Sequence, residues 1–330
     1  MKTCIVGIGA IGGTIGYCLS KTGCELSGIA RGATLAALRE RGLRFTDGGP
    51  VESIPINARE DPGDLGKQDL VVLAVKAPAL AQAVSHIAPL LGPDTMVLPA
   101  MNGVPWWFFQ GFGGKLKGRT LASIDPEGVI ASAVPAKSVI GCVVHFGASC
   151  PEPGLVKALP KRTLIIGEPS GAMTERLHAL GSLLEKAGFE TRPTDSIQRE
   201  IWYKLWGNMT MNPISALTGA TMDRILDDPL VNRLCREVMT EAKRIGAKIG
   251  CPIEQSVDDR LVITRKLGAF KTSMLQDIEA RRPIELDSLL GSVAEIGALV
   301  GEQTPNIDIL LGLVRLQART LGLYPMDRSS

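Results

Sequence analysis

Lys204, Asn208 and Asn212 stand four and four apart in Tyr203-Lys204-Leu205-Trp206-Gly207-Asn208-Met209-Thr210-Met211-Asn212-Pro213. On an α-helix this spacing sets a cation and two amides along one face, with a modest drift of angle. Leu205, Met209 and Met211 between them turn toward a core. A polar row on an otherwise apolar helix needs partners once buried, because unpaired amides and ammonium groups out of water are costly. The row is therefore a candidate catalytic constellation, although the same spacing also fits a polar surface between two domains. A second stretch, from Thr272 to Glu285, supplies Ser273, Asp277 and Glu285. By themselves these could be a helix cap and two surface acids.

The N-terminus carries a different chemistry. Gly7-Ile8-Gly9-Ala10-Ile11-Gly12 follows an apolar run and opens an amphipathic one. In that setting Gly7 permits a tight turn, Gly9 lets the backbone approach a pyrophosphate, and Gly12 lets helix pack closely on strand. The diphosphate then rests at the helix N-terminus, near Ala10 and Ile11. An NAD site would place Asp or Glu about 20 residues past the glycines, on the ribose hydroxyl. Here Arg31 stands 19 residues after Gly12 with no carboxylate beside it. A guanidinium can clamp a 2′-phosphate with paired hydrogen bonds. Lys76, which follows the run Leu70–Val75, should share that sheet edge and add a second positive charge. These features select NADP; for each cation the alternative is a solvated surface charge.

The elements that must position these groups fall into two textures. Thr3–Gly7, Leu26–Ala30, Leu70–Val75 and Met96–Pro99 read as buried parallel strands, alternating with helical spacing over Ile11–Lys21, Thr34–Arg41 and Leu80–Leu91. Val139–Val144 and Thr163–Gly167 extend the strand set. From about Ser196 the strand signals stop and helical periodicity runs over Gln198–Met211, Leu230–Ile249, Glu254–Leu267, Ser273–Ala280, Leu286–Val300 and Ile307–Leu321. The fold class expected is α/β: a Rossmann-like doubly wound parallel sheet over residues 1–195, then an all-helical domain over 196–330. A ligand site is expected in the cleft between them.

Composition narrows the function further. With 36 basic and 34 acidic residues the formal charge is +2, so no bulk attraction to nucleic acid or anionic membrane is implied. No apolar run approaches the roughly 20 residues that span a bilayer, and the first residues lack the pattern of a signal peptide. The seven cysteines are scattered without a Cys-x-x-Cys pair, and His86, His145 and His178 are isolated. Free thiols in a reducing, cytoplasmic setting are expected, and no metal site. The helical part has enough apolar face for a homodimer, though packing between the domains would use the same residues.

Taken in order along the chain, Gly7–Gly12, Ala30-Arg31-Gly32, Val75-Lys76, Asn102-Gly103, Lys204-x-x-x-Asn208-x-x-x-Asn212-Pro213, and Ser273-Met274-Leu275-Gln276-Asp277 followed by Pro283-Ile284-Glu285 resemble the ketopantoate reductase family. The resemblance implies NADPH-dependent reduction of a 2-oxo acid, 2-dehydropantoate, to (R)-pantoate for pantothenate and coenzyme A. It further implies that Lys204 is the general acid and Glu285 its acidic partner. Asn208, Asn212 and Ser273 would bind substrate, and Asn102 would lie near the nicotinamide ribose. The ordinary lysine pKa of about 10.4 keeps such a donor protonated at neutral pH. The chain departs from the family pattern at Trp106-Trp107-Phe108-Phe109, which reads either as core or interdomain packing or as a lid over the substrate. It departs again at Leu159-Pro160-Lys161-Arg162 and at Thr221-Met222, where some members carry asparagine. These departures leave the cofactor and the hydride chemistry standing and open the alternative of a bulkier 2-oxo acid handled by the same mechanism. A separate alternative, an NADPH sensor without turnover, would be favoured by loss of Lys204 or Glu285, and both are present.

Overall fold

The computed structural model describes residues 1–326. The chain divides into two compact units, Met1–Met101 with Gly128–Ile197, and Asn102–Glu127 with Gln198 onward. In the first unit, β1 (Lys2–Val6), α1 (Ala10–Ser20), β2 (Glu25–Ile29), α2 (Gly32–Arg41), β3 (Leu43–Thr46), β4 (Glu52–Ile54), β5 (Asn57–Arg59), β6 (Leu70–Leu73), α3 (Ala77–Val84) and β7 (Met96–Pro99) come first. They are followed by α4 (Val129–Ala133), β8 (Gly141–His145), β9 (Ala148–Glu152), β10 (Leu155–Ala158), β11 (Thr163–Gly167), α5 (Glu175–Lys186) and β12 (Glu190–Pro193).

The main sheet is parallel, in the order β5-β2-β1-β6-β7. All four residues of β6 are fully buried, as an uninterrupted apolar strand covered on both faces must be. A parallel bridge from Val97 to Val139 leads on to β8, which joins β11 and β12 in a second sheet. A third sheet, β4-β3-β10-β9, packs against α1, with Val156 close over Gly13. The expected parallel strands lie within one or two residues of those observed. The short strands β3, β4, β5, β9, β10 and β12 carry no comparable apolar run; β9 contains Pro151, which suits an edge strand. The helix expected over Leu80–Leu91 is divided. It ends with α3 at Val84, and only a 3₁₀ turn at Ala88–Leu90 follows, where Pro89 has no N–H to give.

In the second unit α6 (Ile197–Thr218) leads to α7 (Met222–Asp227), α8 (Pro229–Lys248), α9 (Val257–Arg265), α10 (Ser273–Glu279), a π turn at Asp287–Gly291, α11 (Ser292–Leu299) and α12 (Pro305–Thr320). Helix α6 runs seven residues past the Met211 end expected from the sequence, through Pro213. Proline removes one backbone donor there, but Met209–Ala216 are all buried and tertiary packing carries the helix on. Trp206 Nε1 donates to Met239 O at 2.8 Å and ties α6 to α8. The buried Glu241 carboxylate accepts the Asn306 and Ile307 N–H groups, each at 3.0 Å, and so caps α12 from another helix.

Segment 102–127, read from the sequence as part of the nucleotide-binding domain, is grouped with the helices, and the physical reason is its aromatic content. Trp106, Trp107, Phe108 and Phe109 are all buried. Phe108 meets Trp202 of α6 with ring centroids 6.3 Å apart and stands edge-on to Phe109 and Phe112. Of the two readings of this segment, core packing is the one observed. Glu295 of α11 then pins its far end, accepting Ala122 N–H and Ser123 N–H at 2.8 Å each.

Candidate active site

Register places the sheet-edge groups. Val6 pairs with Ile29 and with Leu73, so the carboxyl ends of β1, β2 and β6 are level. Gly7, Arg31 and Lys76 therefore leave the sheet at one edge. Gly7 has φ +95, and a Cβ there would press on Val75 and the Ala74 backbone. A Cβ on Gly12 would collide with the Gly7 carbonyl oxygen, whereas one on Gly9 would meet nothing within 4 Å. Gly9 is the N-cap of α1, whose first turn holds no acidic residue and no side-chain cap. The open approach and uncapped helix start, followed by Ala10 and Ile11, fit a dinucleotide pyrophosphate. Arg31 and Lys76 are exposed N-cap residues of α2 and α3, and no carboxylate takes the place of the arginine at the end of β2. That donor set suits a 2′-phosphate.

The helical unit holds the second group. Lys204 and Asn208 are half-buried on α6, and Asn212 is buried. Lys204 Nζ donates to Asn102 Oδ1 at 2.9 Å. Asn212 Nδ2 lies 3.4 Å from Ser273 Oγ, at the exposed first residue of α10. The neighbouring Thr272 caps α10 by accepting Leu275 N–H at 3.2 Å, which aims Ser273. Sequence reading treated Asp277 as a surface acid, but it is buried and ion-paired with Arg282 Nε at 3.2 Å. Together with the Arg282 N–H to Asp277 O bond of 2.8 Å, this pair holds a turn in which Arg281 adopts φ +53. The turn delivers Pro283-Ile284-Glu285: Ile284 is buried as an anchor, and Glu285 is half-buried just ahead of the π turn. Nothing in residue type marked the Asp277–Arg282 pair in advance, since its role depends on burial.

Other titratable groups are structural. Burial pushes the thiols of Cys4, Cys235 and Cys251 up to about 12 and that of Cys18 to about 11, so all four stay protonated. Every cysteine is free, and among the described residues no cluster of His, Cys, Asp and Glu could hold a metal. Asp287, in the π turn, is raised by burial, while the Tyr324 hydroxyl that donates to it at 2.7 Å pulls it the other way. Among the described residues no helix is long and apolar enough to cross a membrane.

Residues 3–171 match the family Ketopantoate reductase PanE/ApbA, and residues 196–318 match Ketopantoate reductase PanE/ApbA C terminal. The chain belongs to the ketopantoate reductase family. A 2-dehydropantoate 2-reductase of Mesorhizobium japonicum is 44% identical over 325 residues, covering 98% of this chain and 100% of that one. A crystal structure from Ralstonia solanacearum MolK2 is 54% identical with a TM-score of 0.95, covering 98% of this chain and 99% of that one. The ternary structure of D-mandelate dehydrogenase with NADH and anilino(oxo)acetate is similar in fold, at 22% identity and a TM-score of 0.84 over 98% of this chain and 100% of that one. This ketopantoate reductase family member is therefore an oxidoreductase with a Rossmann-like sheet followed by helices.

Proposed function

We propose that this chain reduces 2-dehydropantoate to (R)-pantoate with NADPH, in the cytoplasm, for pantothenate and coenzyme A synthesis. The observation that carries the reading is the Lys204 ammonium held on Asn102 at 2.9 Å, at the head of a row of amides on α6. Bound NADPH supplies hydride from nicotinamide C4 to the ketone carbon. As negative charge grows on the ketone oxygen, Lys204 hydrogen-bonds that oxygen and then gives it a proton. Asn102 and Glu285 keep the ammonium charged and aimed. Asn208, Asn212 and Ser273 bind the substrate's carboxylate and hydroxyl oxygens, with Ser273 on the carboxylate. At the sheet edge the glycine turn takes the pyrophosphate, while Arg31 and Lys76 take the 2′-phosphate.

A second reading, a bulkier 2-oxo acid, is favoured by one feature. Thr221-Met222 stands where some family members have asparagine, and the Met222 N–H donates to Phe270 O at 3.2 Å, so a buried apolar side chain stands where an amide would be. D-mandelate dehydrogenase, which shares the fold, was solved with NADH and anilino(oxo)acetate. The test is loss of nicotinamide absorbance on mixing protein and NADPH with ketopantoate, 2-oxoisovalerate, pyruvate or phenylglyoxylate, with NADH in parallel. Fastest turnover of ketopantoate with NADPH is expected. Preference for phenylglyoxylate would install the second reading, and binding of NADPH without turnover of any acid would leave a sensor.

The homodimer belongs to the same reading. Helix α12 buries Ile307, Leu310, Val314 and Ala318 yet exposes Ile309, Leu313 and Leu316, a second apolar stripe at helical spacing. An antiparallel pairing of two copies centred between Gly312, where a Cβ meets nothing within 4 Å, and Leu313 sets Ile309 of one against Leu316 of the other. Sedimentation should give a dimer that Leu313→Asp dissociates.

A further inference from the structure

Ser288 lies inside the π turn, three residues past Glu285. There the Ser292 N–H reaches back to Asp287 O, one residue farther than α-helical register. Ser288 O, the acceptor an α-helix would assign to that N–H, takes the Val104 N–H at 2.8 Å and the Ser292 hydroxyl at 3.0 Å. Gly103 closes on the same carbonyl. Its φ is +83, and a Cβ added there would collide with Ser288 O and stand 2.6 Å from Ser288 C. No residue with a side chain satisfies both conditions. Gly103 is bonded directly to Asn102, which accepts Lys204 Nζ. On the other side of the contact, the Ser288 hydroxyl donates to Glu285 O at 3.3 Å.

We infer that Gly103 and Ser288 interlock to position Asn102 and Glu285 about Lys204, and that the π turn supplies the carbonyl on which this interlock forms. Both are positioning residues, since neither is assigned contact with substrate or cofactor. The inference rests on the proposed reaction for what Lys204 does. The shift of register frees one carbonyl, that carbonyl fixes the backbone after Asn102, and the amide then meets the ammonium already oriented. A misplacement of about 1 Å in such a group is enough to cost about 100-fold in turnover.

The test is Gly103→Ala in the full chain, alone and combined with Asn102→Ala. Alone it should lower kcat by about 100-fold, with NADPH binding by fluorescence unchanged. In the Asn102→Ala background the same change should cost less, because one of the two groups it positions is gone. Full kcat in a folded Gly103→Ala protein, or independent multiplication of the two effects, would overturn the inference. Should Gly103→Ala not fold, Ser292→Ala removes one donor from Ser288 O without adding atoms. A several-fold loss of kcat, again suppressed by Asn102→Ala, is expected, and an unchanged kcat rejects the interlock. Amide exchange at Val104 decides the geometry separately from the reaction. Protection comparable to the core of α11 supports the interlock, and exchange at the free-peptide rate overturns it. If the wild-type chain turned over no 2-oxo acid, the proposed reaction would fall while this exchange result still stood.

Discussion

At the carboxyl edge of the parallel sheet, Arg31 and Lys76 reach out as exposed N-cap residues beside a glycine with open space over it. On α6 the polar groups are instead half-buried or buried, with Lys204 donating to Asn102 and Asn212 to Ser273. The first region is exposed, and a side chain added at Gly9 would meet nothing within 4 Å. The second is assembled on folding, so little reorganisation is left for the moment of reaction. The difference teaches that charge at the sheet edge should govern binding, and that geometry on α6 should govern turnover.

Four substitutions test that division, taken in order of expected effect. Lys204→Ala should lower kcat by about 10²- to 10⁴-fold, the range for a lost general acid, with NADPH affinity preserved. A rise in KM with kcat intact would make the lysine a substrate anchor and erase the contrast. Phe108→Ala should destabilise the protein by about 3–5 kcal/mol, as removal of a fully buried aromatic does, read as a lower Tm by calorimetry. An unchanged Tm with altered substrate KM would return the aromatic segment to the role of a lid. Arg31→Ala should raise the KM for NADPH by about 10- to 100-fold, the worth of a charge-assisted pair, and leave that for NADH nearly unchanged. Equal loss for both cofactors would detach Arg31 from the 2′-phosphate.

The smallest effect concerns pH. Burial raises the Asp287 carboxyl in the folded protein above its ordinary 3.8. The folded state thus holds this proton more tightly than the unfolded chain, and the carboxylate weighs against folding once pH rises through the folded value. Asp287→Asn should therefore raise Tm at neutral pH by about 1–3 °C and give no gain in acid below the unfolded value. A gain equal at both pH values would point to packing rather than charge.

Much of the first unit was legible because its signals are local. An apolar run closed by Gly7-Ile8-Gly9-Ala10-Ile11-Gly12 carries its strand, turn and helix within a few residues, and Arg31 follows at the end of the next strand. The Lys204, Asn208 and Asn212 row was legible for the same reason, helical period being a property of neighbours in sequence. The polar strands β4, β5 and β12 were not, because their partners rather than their own residues make them strands. Nor was the domain assignment of Trp106–Phe109, since four apolar rings announce burial without naming the core that receives them.

The sequence by itself determined the alternating α/β texture, the following helices, the glycine turn and the chemical types available to a reaction. Only the tertiary structure decided that Asn102 meets Lys204, that Asp277 serves Arg282 instead of solvent, and that α6 continues through Pro213. It alone placed a π turn where Ser288 could receive Val104. The reason is physical. Local periodicity is written in residues three or four apart, whereas a hydrogen bond between distant segments depends on where packing leaves a donor and an acceptor without other partners.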